Sequence, residues 1–392
     1  MENYRKKADR LRIVMLGYMV RGPLGGMTWA NLHYLMGLKS LGHEVYFVED
    51  SDSYASCYDP SRNVMDIDPT YGLKYAGGIL QEIGLGNHWA YYDEHTSRWY
   101  GPCADRIVDI CSSADLLINR AGVNPLRPWF LRIPVRALID VDPVFTQIRH
   151  LKYTASMEYA KQHTVFFSLA ENIGSEKSTM PDDGLPWQPT RHPIFLDAWP
   201  VSPPRGRGSW TTVMQWKSYP AEQYDGVSYG MKSESLMPYL DIPTSSGEIF
   251  ELVLAGANSP RQMLIDKGWV IRSSREMSGD PWVYRRYIQG SKGEFSVAKQ
   301  GYVTTHSGWF SERTAAYLAS GRPVVTEEAG FGDVLPTGKG LLSFSDPGEA
   351  LTAIAEVNAD YNDHCKAARS LAEEYFDARK ILSGLIERAM QS

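Results

Sequence analysis

The chain has 392 residues, enough for two domains with separate hydrophobic cores. Its 43% hydrophobic and 22% charged residues describe a globular protein, and the net charge of −6 argues against nucleic acid or an anionic membrane as partner, since both favour a basic surface. No apolar run approaches the ~20 residues that cross a bilayer, Met1 to Arg10 is charged with no apolar segment behind it, and the four cysteines (Cys57, Cys103, Cys111, Cys365) form no Cys-x-x-Cys pair, so the expectation is a cytoplasmic protein with free thiols and no zinc site.

The first predicted strand is Arg12-Ile13-Val14-Met15-Leu16-Gly17. A loop from Arg21 to Gly26 follows, then a helix with Trp29, Leu32 and Met36 on one face, closing near Leu41-Gly42. The second strand is Glu44-Val45-Tyr46-Phe47-Val48. Strand, helix and strand in this order imply parallel pairing. Further strands are expected at 116–118, 135–139 and 164–167, as continuous apolar runs that suit a sheet covered on both faces. Between 51 and 113 lies an aromatic insertion without clear periodicity, which reads as a long functional loop. The 23 Tyr and 11 Trp of the chain belong mostly to core and seams, with stacking on sugar or base rings as the functional reading of the remainder.

Seven prolines between Pro181 and Pro204 predict a stiff linker over 181–209. The domains are accordingly expected at 1–180 and 210–360, with helices over 361–392. Strands of the second domain are predicted at 210–216, 250–254, 269–271, 294–297, 324–325 and 341–344.

The segment from Gly308 to Val325 reads as loop, helix, tight turn and buried strand. Ser311 is placed to cap the helix, Gly321 to end it, and Pro323 to stop it continuing. A Gly-fronted helix N-terminus carrying Arg313 suits a phosphate, through free N–H groups, the macrodipole and a bidentate guanidinium.

This segment resembles the nucleotide-sugar half of GT-B glycosyltransferases, where a helix ending in Ala-x-Gly-x-Pro-Val-Val points at the donor diphosphate. The Ser-x-Arg-Thr start is most similar to the spore-coat-maturation type of C-terminal domain. The resemblance is specific from about Ser291 to Phe344 and covers the rest in layout. It implies an α/β fold of two Rossmann-like domains facing across a cleft. It also implies transfer of a sugar from a nucleotide-diphosphate sugar to an acceptor hydroxyl, with no metal and no cofactor beyond that co-substrate. The terminal helices would cross back to the first domain. The glutamate pair of many retaining members falls here on Gly308 and Ala316, so both carboxylates are missing and the balance tips toward inversion.

On the donor side the resemblance and the helix pattern point to Arg313, Ser311, Thr314 and Gly308, with Gly330 and Phe331 in the loop after the Val324-Val325 strand. Lys217 and Lys232 are candidate point charges for the diphosphate. His306 reads either as a hydrogen-bond donor to the donor substrate or as a surface-loop histidine. Asp140 and Asp142 follow an apolar strand and read as a turn, as Mg²⁺ ligands or as a general base on the acceptor. Arg21, Gly25 and Gly26 lie after the first strand, where α/β domains take ligands, and mark the acceptor side of the cleft. His33, inside the first helix, reads as structural.

Two other classes stay open. One is a sugar-nucleotide epimerase or dehydrogenase, suggested by the early glycines and by Glu49 after the second strand, although Gly22, Gly25 and Gly26 do not fit Gly-x-Gly-x-x-Gly. The other is a binding protein that kept the fold without the chemistry. The acceptor is open among lipid, glycan, protein, natural product and nucleobase; the insertion favours a small or ring-bearing one.

Overall fold

The computed structural model describes residues 10–203, 206–256 and 258–391. The charged N-terminal stretch up to residue 9, and Pro204 within the expected linker, lie outside them.

Two sheets organise the chain. The first has eight strands in the order Trp187–Pro189, Val165–Ser168, Val135–Asp140, Leu116–Arg120, Arg12–Leu16, Glu44–Asp50, Trp89–Asp93, Arg98–Tyr100. All its pairs are parallel except the last, Trp89–Asp93 with Arg98–Tyr100. The second has six parallel strands in the order Trp269–Ser273, Phe250–Ala255, Trp210–Gln215, Gly293–Ser296, Val324–Glu327, Leu341–Phe344. Buried residues such as Ile13, Val14, Leu117 and Ile118 fill both faces of the first sheet, which is why these strands read as unbroken apolar runs.

In each sheet the chain moves outward on one side of its first strand and then crosses to the other side. The two switch points fall between Arg12–Leu16 and Leu116–Arg120, and between Trp210–Gln215 and Gly293–Ser296. Loops at the carboxyl ends of strands flanking a switch point diverge and leave a crevice.

Two expectations need correction. The insertion is not a loop. It holds a hairpin (Cys57–Asp59 with Val64–Asp66), a helix (Thr70–Glu82) and two strands that extend the first sheet. Its aromatic run Trp89-Ala90-Tyr91-Tyr92 suits a pleated, half-buried surface as well as β-branched residues do. The linker is likewise partly structured. Trp187–Pro189 is an edge strand, a position that tolerates Pro189, and Ile194 pairs with Asp377 near the C-terminus.

The second domain's core is a cluster of aromatic rings. Phe295 stacks on Phe344 at 5.2 Å and meets Phe250 edge-on at 5.3 Å. The helix Glu312–Ala319 buries Ala315, Ala316 and Ala319 completely, and these small side chains let it pack closely beside the helix Tyr361–Tyr375. The last helix, Ala378–Met390, lies against the first helix, Gly25–Ser40, so the C-terminus rests on the first domain.

Candidate functional site

The carboxyl end of the second sheet gathers charge at its switch point. Arg313, in the first turn of Glu312–Ala319, reaches back beneath its own helix. Its Nε donates to Glu294 Oε1 at 2.5 Å, Nη1 to the Val213 carbonyl at 2.5 Å and Nη2 to Ser296 Oγ at 2.7 Å. The side chain thus ties the two strands that flank the switch point. Burial opposes its charge, but Glu294 outweighs burial and holds Arg313 above the usual arginine range. The expected role of a free phosphate clamp is corrected: the guanidinium fork is occupied inside the domain.

Lys232 stands differently. It begins the short helix Lys232–Leu236, and its Nζ lies 6.0 Å from the centre of the Trp309 ring. Among the described residues it makes no hydrogen bond and no ion pair. Burial, and then the positive charge of Arg313, hold it well below the usual lysine range, against the pull of Glu294 and Glu327. Glu327 ends the strand Val324–Glu327 and accepts the Ala298 N–H at 3.1 Å. Burial pushes its carboxyl up to about 7 despite that bond and despite Lys232. Lys217, the other lysine candidate, is exposed.

Ser311 occupies the N-cap position of Glu312–Ala319 with extended backbone, but its hydroxyl makes no capping bond. The first turn therefore keeps donors that no side chain satisfies. Thr314 is buried in that turn.

The loop ahead of the helix is stitched to the first domain. Gly308 has φ +77°, and a Cβ there would stand 2.7 Å from the Asn172 nitrogen. Only glycine allows both the left-handed backbone and this approach. Its N–H donates to the Ala329 carbonyl at 2.7 Å, so it is not free for a phosphate. Asn172 Nδ2 donates to the carbonyls of His306 and Gly330 and to Asp333 Oδ2. His306 pairs with Asp333 at 2.8 Å on the surface. The Gly330 N–H donates to Glu328 Oε1, and Phe331 is buried edge-on against Phe310. His306 and Gly330 serve the seam through their carbonyls and Phe331 packs in the core, where donor contacts were expected of all three.

A second bridge crosses the cleft. Asp142, after the first-domain strand Val135–Asp140, accepts from Lys299 Nζ at 2.6 Å and from the hydroxyls of Tyr219 and Tyr302 at 2.5 Å each. Burial raises its carboxyl, but Lys299 and the three hydrogen bonds hold it below the usual range. Burial in turn lowers Lys299, partly offset by Asp142. Asp140 is fully committed within its own domain, accepting from the Asp142 N–H, Thr146 Oγ1, Gln147 Nε2 and Ser168 Oγ. In this closed arrangement neither carboxylate is free to take a proton from an acceptor or to share a cation: Asp140 is a loop anchor and Asp142 a cross-cleft latch, where a general base or Mg²⁺ ligand was expected.

On the first domain, Gly25 begins the first helix where the second-domain turn at Asp280 presses against it; a Cβ would stand 2.8 Å from the Asp280 carbonyl oxygen. Gly26 faces Tyr284, so this pair admits the second domain and not a ligand. Glu49 accepts the backbone N–H groups of Met19, Val20 and Arg21 at 2.6 to 2.8 Å. That occupies the carboxylate a dinucleotide ribose would need. His33 accepts the Phe195 N–H at Nδ1 and sits 3.3 Å from Glu312 through Nε2.

Lys299, Tyr219, Tyr302, Glu327 and Glu294 were missed in the sequence. Lys299 and Glu327 had a signal: each is a charged residue at the carboxyl end of an apolar run. The buried guanidinium of Arg120, with Nε and Nη1 unpaired beside Tyr34 and His192, was missed on the same ground.

No protein-family model matches the chain, and no curated protein matches it significantly. Solved structures do. An alpha-glucosyltransferase in complex with UDP aligns over 97% of this chain and 99% of its own, at 11% identity and a TM-score of 0.59. Anabaena HepE in complex with UDP-glucose aligns over 97% and 99%, at 11% identity and 0.58. Sucrose-phosphate synthase from Thermosynechococcus elongatus aligns over 96% and 98%, at 10% identity and 0.54. At these identities the likeness is one of architecture: the chain has the fold of GT-B glycosyltransferases, two Rossmann-like α/β domains meeting across a cleft.

Proposed function

We propose that the protein is a glycosyltransferase that moves a sugar from a uridine-diphosphate sugar to an acceptor hydroxyl without a metal ion or further cofactor. The observation that carries this reading is Lys232. A desolvated lysine repelled by Arg313 and Lys299, only partly offset by Glu294 and Glu327 and in no ion pair among the described residues, is costly unless an anion joins it. Its Nζ lies 6.0 Å from the ring of Trp309, two residues before the N-cap Ser311 of Glu312–Ala319, whose uncapped N–H groups add a positive pole. A diphosphate satisfies both. The UDP and UDP-glucose in the complexes of similar fold support uridine as the base.

In the transfer the acceptor oxygen bonds to the anomeric carbon. The bond from that carbon to the diphosphate oxygen breaks, its electron pair staying on the nucleoside diphosphate, and the hydroxyl proton passes to water. Lys232 and the helix start spread the charge that develops on the leaving group. The latch at Asp142 opens to admit the donor and closes over it. Titration of the protein with UDP in the presence of a chelator tests this. Binding that weakens in Lys232→Met supports the assignment; absence of UDP binding by the unmodified protein contradicts it.

A further inference from the structure

The switch point of the first sheet opens into a cavity of about 460 Å³. Tyr18, Leu24 and Met27 line it from the loop and helix that follow the first strand. Tyr54, Tyr58 and Met65 line it from in and around the insertion's hairpin. Gln215, ending the strand Trp210–Gln215, closes it from the second domain. Tyr54 and Met65 are 57% and 59% exposed, so the rim presents apolar surface that a ligand would cover.

Arg21 is the one charged residue lining this cavity among the described residues, and it is 6% exposed. Its Nη2 donates to the Val123 carbonyl at 2.9 Å. Its Nε lies 3.5 Å from Glu49 Oε1 and makes no hydrogen bond. Nη1 has no partner among the described residues. Glu49 is held in place by three backbone N–H groups and does not turn to meet it. The cavity therefore offers aromatic and thioether walls with one buried, incompletely paired guanidinium.

We propose that this cavity binds the acceptor, and that the acceptor is a planar ring-bearing molecule with one carboxylate toward Arg21 and its reactive hydroxyl at the opposite end, toward Gln215 and the second domain. This rests on the reading of the Lys232 site as the donor site. The volume is that of a pocket for a drug-sized molecule. Aromatic walls stack on flat rings, and methionine adapts to their outline. The aromatic and thioether side chains outnumber Ser56 and Gln215 in the lining, so a flat ring body covers them more fully than a sugar polyol does. A carboxylate gives Arg21 a charge-assisted bond that a neutral ring cannot give.

The test measures binding of 6-hydroxy-2-naphthoate and of its methyl ester by fluorescence titration, with UDP binding followed in the same samples. The acid is expected to bind at least tenfold tighter than the ester, and Arg21→Gln to abolish that difference. Tyr54→Ala, at an exposed position, is expected to weaken both ring compounds while UDP affinity stays unchanged; it also serves if Arg21→Gln fails to fold. Equal affinity for acid and ester, or UDP binding with no binding of either ring compound, overturns the proposal. Loss of UDP binding with the ring preference intact would instead remove the donor reading and leave the cavity's chemistry standing.

Discussion

The two switch points of this molecule are built alike and furnished in opposite ways. Each lies at the carboxyl edge of a parallel sheet, beside that sheet's first strand. The second-domain edge is lined with cations and carboxylates: Lys232, Arg313 and Lys299 beside Glu294 and Glu327. The first-domain edge is a cavity walled by Tyr18, Tyr54, Tyr58 and Met65, with Arg21 as its single charge among the described residues. On the reading proposed above, the same topology would serve a polyanion on one side and a flat apolar body on the other, and the difference lies in side chains that the loops bring in. Within the charged edge there is a second contrast. Arg313 is paired with Glu294 and holds structure, while Lys232 makes no ion pair among the described residues and faces the Trp309 ring.

The strongest way to break that inner contrast is Glu294→Ala. It leaves the buried Arg313 without its counter-ion, and the expected cost is about 3–5 kcal/mol of folding stability, read by urea unfolding. A cost near zero would mean that Arg313 is not the structural tie described. Next in size is Glu327→Gln. The Glu327 carboxyl is raised in the folded protein to about 7, against an unfolded value of about 4.3. The folded state therefore binds the proton more tightly than the unfolded state. Stability falls as pH rises from about 4.3 to 7 and is level above, a difference on the order of 4 kcal/mol. Glu327→Gln should flatten this fall, and an unchanged pH profile of unfolding would show that the carboxyl is not raised.

Asp142→Asn sharpens the comparison between the edges, since the latch joins them. The expected loss is about 2–3 kcal/mol of stability, below that of a fully buried pair because both side chains keep some exposure. A more open, expanded molecule in small-angle scattering should accompany it. The smallest expected effect is Met65→Ala, within about 0.5 kcal/mol of stability because the residue is exposed.

Much of the fold was legible because its strands are parallel and covered. Val14, Val45, Leu117, Val253 and Val325 sit in runs that read as buried strands without any partner in view. The insertion was not legible, because Trp89 to Tyr92 and Arg98 to Tyr100 pair in space and show no period that sets them apart from loop. The bonds made by the candidate residues were not legible. The pattern from Gly308 to Val325 located the helix start, yet Arg313 turns back to Glu294, 19 positions away. Asp142 meets Lys299 across 157 positions and two domains. No local pattern carries such a pairing. Lys232 was visible only as one lysine among several, and its distinction comes from what surrounds it after folding.

The most direct measurement is calorimetric UDP affinity, without metal, for the unmodified protein and for Lys232→Met, with circular dichroism to confirm that the variant is folded. The account expects UDP to bind the unmodified protein and to lose roughly 1.5–3 kcal/mol of binding free energy in the variant, at least tenfold in affinity. Equal affinity in the two proteins would contradict the central claim that Lys232 is the cation held ready for the diphosphate.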